Sequence, residues 1–202
     1  MMHLAISTAT AACSAALIDG EILIAERHET VGRGHAERLI PMIESLPGKG
    51  RADMIWVDCG PGSFTGVRVG LAAARALALA WEIPLAGFSS LALLAAGVDD
   101  CDDETIGIAT PGGHGELFVQ SFTRFPLAPA GAFAALTPGA AAGHLLDRLV
   151  IGAGAAALVE ARGYGEARDM LPRAADAGRL PAALRSLAPI PIYGRAPDAV
   201  AK

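Results

Sequence analysis

At 202 residues the chain is long enough for one compact unit or two small lobes, and its 52% hydrophobic content excludes disorder. Alanine supplies 43 residues and aromatics only 5%, so the core must be built from small side chains at close backbone approach. A formal charge of −5 argues against autonomous nucleic-acid binding, and three widely spaced cysteines without a CxxC pair exclude a disulfide framework or zinc ribbon.

Residues 4–8 and 13–18 are short apolar runs separated by small polar residues, and Asp19-Gly20 after them is a strong hairpin signal. A third run over 21–27 alternates through Ile22 and Ile24, so the spacing predicts three consecutive antiparallel strands. The same hydroxyl-bearing residues, Ser7, Thr8, Thr10 and Ser14, interrupt the first 18 residues, and no basic residue precedes them, which argues against a secretion signal. Residues 34–46 then place Leu39, Ile43 and Leu46 at i, i+4 and i+7, the mark of an amphipathic helix. Pro41 should kink that helix or mark its effective start.

Residues 54–59 read as a central buried strand ending in glycine. The turn Gly60-Pro61-Gly62-Ser63-Phe64-Thr65-Gly66 leads into a helix expected over 67–81. Val67, Leu71, Ala74, Ala78 and Trp81 take one face of it, and Ala72, Ala76 and Leu79 another. A helix apolar on two faces must be covered on both, by its own sheet and by a neighbouring helix or a second protein. A further strand over 83–88 and a helix over 91–96, capped by Ser89 or Ser90, complete the order βββαβαβα. That is the order of the ribonuclease-H-like unit found in actin-like ATPases. The run Asp99-Asp100-Cys101-Asp102-Asp103-Glu104 marks a boundary.

Beyond it, 105–109 and 117–122 read as strands joined by a glycine-rich stretch. A helix is expected near 140–149, a short buried strand at 150–152, a short helix over 181–187 and an extended segment at 189–193. The lobes are expected at 1–98 and 99–188, with 189–202 returning to the first. No uninterrupted stretch reads as a membrane span. Only residues 160–202 carry a net positive charge, which reads as a solvated arginine-rich face or as an approach to RNA within an assembly.

Chemistry is sparse. The turn between a buried strand and a helix N-terminus offers an anion free amides, Gly62 and Gly66 among them, joined by the hydroxyls of Thr8, Ser63 and Thr65 and the guanidinium of Arg68. The alternative is a tight packing turn in which Thr65 caps the helix. No Walker A spacing is present, and Ser7 stands at the strand end where a magnesium nucleotide would want a carboxylate. No two of the five histidines stand three to five apart, so no metal is expected. No nucleophile–base arrangement suits a peptidase. Cys59 should be an inert packed thiol, Trp56 and Trp81 core or interface residues.

The segments Leu4-Ala5-Ile6-Ser7-Thr8, Arg33-Gly34-His35-Ala36-Glu37-Arg38-Leu39-Ile40-Pro41-Met42-Ile43 and Gly60 through Leu71, with its GPGSFTGxR string, resemble the TsaB (YeaZ) family. So do Gly87-Phe88-Ser89-Ser90-Leu91 and Pro191-Ile192-Tyr193-Gly194-Arg195. The resemblance implies an α/β, two-lobed actin-like ATPase (ribonuclease-H-like) fold with a mixed sheet. It also implies a cytoplasmic, non-catalytic subunit that dimerises with a TsaD-like catalytic subunit making threonylcarbamoyladenosine beside the tRNA anticodon. A TsaE-like ATPase joins the pair, the free chain forms a homodimer, and tRNA is met only through the complex. No cofactor is implied on the chain alone, though ATP or ADP can sit at the complex interface. The implied partner contact lies on two helices, through His35, Glu37, Leu39, Met42 and Ile43 on the first. On the second it runs through Arg68, Leu71, Ala74, Arg75 and Ala78. Three departures stand out: Ser7 replaces the usual Asp, Pro111-Gly112-Gly113-His114 replaces an Asp-Ala-Arg run, and the 46–53 connection is short. The rival reading is a stand-alone ATPase or small-molecule phosphotransferase.

Overall fold

Strand β1 (Met2–Ser7) is almost wholly buried, as a strand flanked on both edges and covered on both faces should be. This is seen in a computed structural model, which describes residues 1–194. Strand β1 pairs antiparallel with β2 (Ala12–Asp19), which pairs antiparallel with β3 (Ile22–Thr30) through the Asp19-Gly20 turn, where Gly20 takes φ +62°. Helix α1 (His35–Glu44) leads to β4 (Met54–Asp58), α2 (Phe64–Trp81), β5 (Leu85–Phe88) and α3 (Ser90–Ala96). The two later strands run parallel to β1, and the sheet order is β3-β2-β1-β4-β5. This is the expected ribonuclease-H-like order.

Alternation divides that sheet into two faces. Leu4, Ile6, Ile55 and Val57 point towards α1 and α2, forming one core with Leu39, Ile43, Leu71 and Ala74. Ala5, Ala16, Ile18, Trp56 and Phe88 point the other way and meet α3. Every residue of α3 is buried, because a second sheet closes over it. That sheet comprises β6 (Thr105–Gly113), β7 (Glu116–Arg124), β8 (Leu127–Pro129), β9 (Ala134–Leu136), β10 (Leu149–Ile151) and β11 (Glu166–Arg168). Its order is β11-β10-β6-β7-β8, with β9 also on β7. Helices α4 (Pro138–His144) and α5 (Ala155–Arg162) cover its outer face around Val119, Val150 and Leu158. A 3-10 turn, Ala174–Arg179, then returns to lie against β1, β2 and β3.

Several expectations are corrected. Helix α2 begins at Phe64, three residues early, because Ser63 and not Thr65 caps it, its Oγ accepting from the Gly66 amide at 3.2 Å. Helix α1 starts at His35, so Pro41 sits inside it and does not mark its start. The helix expected to 149 ends at His144, because 149–151 is claimed by the sheet, and the one expected over 181–187 is only the 3-10 turn Ala182–Leu184. Helix α5 and strands β8, β9 and β11 were not expected. Ile22 and Ile24 alternate on paper, yet both are exposed: β3 is the sheet edge, and its register slips beside Leu17 and Ile18. Of the C-terminal segment, residues 195–202 lie outside the described residues. The preceding residues 189–194 run beside β4 and α2, with the Ile192 amide donating to the Cys59 carbonyl at 2.8 Å.

Candidate functional site

The turn between β4 and α2 is clamped onto the turn between β1 and β2. Ser63 N–H donates to the Ala9 carbonyl at 2.7 Å, and Thr8 Oγ donates to the Gly66 carbonyl at 2.7 Å. A Cβ on Gly62 would stand 2.1 Å from the Ala9 oxygen, and one on Gly66 the same distance from the Thr8 oxygen. These glycines are therefore required by backbone contact, and most of the candidate anion ligands are already committed. Thr8 and Gly66 bond each other, and Ser63 caps α2. The Arg68 guanidinium lies 3.4 Å over the Phe64 ring and donates to the Tyr193 hydroxyl at 3.1 Å. Ser63, Thr65 and Arg68 are exposed, and of these Thr65 lies outside the clamp.

Gly62, Ser63 and Phe64 form one wall of a cleft of about 490 Å³, with residues 110–114 of the β6–β7 hairpin opposite. Among the described residues lining it, none is a carboxylate. That lining supplies no carboxylate to hold a magnesium ion directly.

The residue that sequence reasoning missed is Asp58, only 1% exposed at the end of β4. Its carboxylate accepts from Ser7 Oγ at 2.7 Å, from Ser90 Oγ at 2.5 Å and from the Gly60 amide at 2.9 Å. Burial pushes this carboxyl above the usual range, against the pull of the Ser90, Ser7 and Gly60 donors. Ser7 is thus a hydrogen-bond donor to a neighbouring strand. The available signal was an Asp inside an otherwise apolar strand run, which demands partners.

On the opposite face of the first sheet from α3, α1 and α2 lie side by side. Their inner residues face the sheet. His35, Leu39, Met42, Ile43, Leu71, Ala74 and Ala78 are all buried in this chain's own core. His35, expected at a polar surface or interface, places Nε2 at 2.9 Å from the Thr10 carbonyl and 3.2 Å from that of Ala12, so it pins the first turn. Of the expected contact residues, Glu37, Arg68 and Arg75 are open to solvent. Arg75 also reaches the Pro189 carbonyl at 2.7 Å. Beside and beyond these arginines the outer surface is apolar: Ala72, Ala76 and Ala80 are exposed, Leu79 is 81% exposed, and Ile40 of α1 is 47% exposed. Helix α2 is long and apolar enough to cross a membrane by length and composition, and only a third of it is buried. Its arginines and its seat on β4 give that apolar surface a different meaning: a helix covered on one side only.

A family model described as "TsaD: tRNA N6-adenosine threonylcarbamoyltransferase" matches residues 25–130, just over half the chain. The tRNA threonylcarbamoyladenosine biosynthesis protein TsaB of Escherichia coli (strain K12) is 39% identical over 102 residues, which cover 48% of this chain and 44% of that protein. TsaB of Bacillus subtilis (strain 168) is 38% identical over 103 residues, with the same coverage of each. The match thus spans less than half the length of these curated relatives. Solved structures extend it. A Pseudomonas aeruginosa protein described as similar to peptidase YEAZ superposes with a TM-score of 0.82 at 28% identity, over 96% of this chain and 99% of that one. YeaZ from Pseudomonas aeruginosa superposes at 0.74, also at 28% identity, over 87% and 89%. With the GPGSFTGxR turn, the two-sheet fold and these relatives in agreement, the chain belongs to the TsaB (YeaZ) family.

Proposed function

We propose that this chain is a partner subunit in the biosynthesis of threonylcarbamoyladenosine in tRNA, docking onto a TsaD-like catalytic subunit and activating its transfer of the threonylcarbamoyl group. The acceptor is the adenosine next to the anticodon in tRNAs that read codons beginning with A. The observation that carries this reading is the open apolar surface of α2, with Ala72, Ala76 and Leu79 unpaired on a helix whose other face is fully packed. Small side chains let a second helix approach closely, and the flanking Arg68 and Arg75 set its register by charge. The names of the curated relatives and of the matching family model support the pathway. In this reading a TsaE-like ATPase joins the pair in the cytoplasm, the free chain covers the same face with a second copy, and tRNA is reached only through the complex.

The rival, a stand-alone phosphotransferase, finds no support in a cleft without a lining carboxylate among the described residues. Reconstituted transfer to tRNA separates the two. The catalytic subunit and ATPase alone should be nearly inactive, adding this chain should restore transfer, and adding Ala76→Arg should not. Full restoration by Ala76→Arg, or ATP turnover by the isolated chain, would overturn the reading.

A further inference from the structure

Asp58 is fully buried, and the docking face does not include it, yet three separate elements converge on its carboxylate. Ser7 ends β1, Gly60 begins the turn that leads to α2, and Ser90 opens α3. The ring closes on itself, because the Ser90 amide also donates to the Gly60 carbonyl at 2.9 Å. Gly60 takes φ +90°, a conformation that needs holding in place, and two residues later Gly62 meets the Ala9 backbone. From there the path is short: Ser63 bonds the Ala9 carbonyl with its amide and caps α2 with its hydroxyl.

We propose that Asp58 is a positioning residue for docking, one that fixes where α2 begins and so where its exposed face stands relative to α1. The link to partner binding rests on the docking reading above. The positioning itself does not. A buried carboxylate is costly unless every oxygen is satisfied, and here the donors that satisfy it are the very groups that shape the turn. An apolar residue could fill the space at the end of β4. It could not draw Ser7, Gly60 and Ser90 to one point.

The test compares Asp58→Ala, Asp58→Asn and a control, Val150→Ala, whose cavity lies in the second sheet. Amide hydrogen exchange of residues 60–68 and affinity for the purified TsaD-like subunit are measured on each, at a temperature where all are folded. Removing the buried acceptor should speed exchange in 60–68 about tenfold and weaken docking by a similar factor. Asparagine keeps the acceptor towards Gly60 and Ser90 and should recover most of both, while Val150→Ala should change neither locally. If Asp58→Ala does not fold, Ser90→Ala removes one donor and should show the same local loosening at about threefold. Exchange in 60–68 no faster in Asp58→Ala than in Val150→Ala overturns the inference. Local loosening beside a wild-type chain that binds no TsaD-like subunit upholds the positioning and defeats the docking reading instead.

Discussion

Replacing Gly66 by alanine puts a methyl group where α2 crosses the first strand turn. Its Cβ would stand 2.1 Å from the Thr8 carbonyl oxygen and 3.3 Å from the Ser63 Cβ. The first distance is about 1 Å closer than such a contact tolerates, and the obstacle is backbone, so helix and turn must separate. That separation stretches the buried Thr8 hydroxyl bond to Gly66, now 2.7 Å. Overpacking costs about 1–3 kcal/mol, the weakened buried bond about 1 kcal/mol more, and alanine's better helix propensity returns about 1 kcal/mol. The balance is a loss of about 2 kcal/mol, or roughly 5 °C in the melting temperature of a chain this size. Gly139 in α4 is the internal control: a Cβ there meets nothing within 4 Å, so Gly139→Ala should gain up to about 1 kcal/mol. Urea melts followed by circular dichroism measure both against wild type. If Gly66→Ala is as stable as wild type, or moves in the same direction as Gly139→Ala, the close-approach reasoning is refuted.

Three further outcomes are expected. Ala74→Arg buries a guanidinium in the core beneath α2 and should prevent folding, whereas Ala76→Arg, on the open face, should melt within about 1 °C of wild type and lose only partner binding. Cys13 and Cys59, pushed by burial to about 11 and about 12, should resist a thiol reagent at pH 8, leaving Cys101, which is only partly buried, as the first to react; equal rates for all three would contradict this. His3 stacks on Trp56 at 3.9 Å, and burial followed by the nearby charge of Arg185 holds its imidazole below the usual range. The unfolded chain then takes the proton more readily, so this contribution is intact above about pH 6.5 and is lost as pH falls through the lowered folded value. His3→Phe should shrink the loss of stability between pH 7.5 and pH 5 in denaturant melts, leaving the smaller slope due to His28, which burial also holds low. An unchanged slope would contradict it.

The first hundred residues were legible because their elements carry periodicity. Strands β1, β2 and β4 are mostly apolar runs, and Leu39 and Ile43 of α1 share one side with Leu46 just beyond it. Which residues of α2 are open to solvent was harder to read, for the same reason that α2 was easy to find. Ala74 and Ala76 are the same residue, yet one is buried and the other exposed, and only the position of the sheet beneath separates them. Asp58 was overlooked because its partners come from residues 7, 60 and 90, a convergence that only tertiary structure creates. In the second half, β8, β9 and β11 are three residues each, too short for any period to show, and α5 is alanine-rich with little contrast between its faces. The cap on α2 fell to Ser63 over Thr65 because the turn tightens against Ala9, a contact made between residues far apart in the chain.

The docking face is tested most directly by weighing a mixture of this chain with the purified TsaD-like subunit by light scattering. A one-to-one complex that Ala76→Arg abolishes, while leaving the fold intact, is the predicted result. A mixture that weighs as two separate proteins, or a complex indifferent to Ala76→Arg, would contradict it.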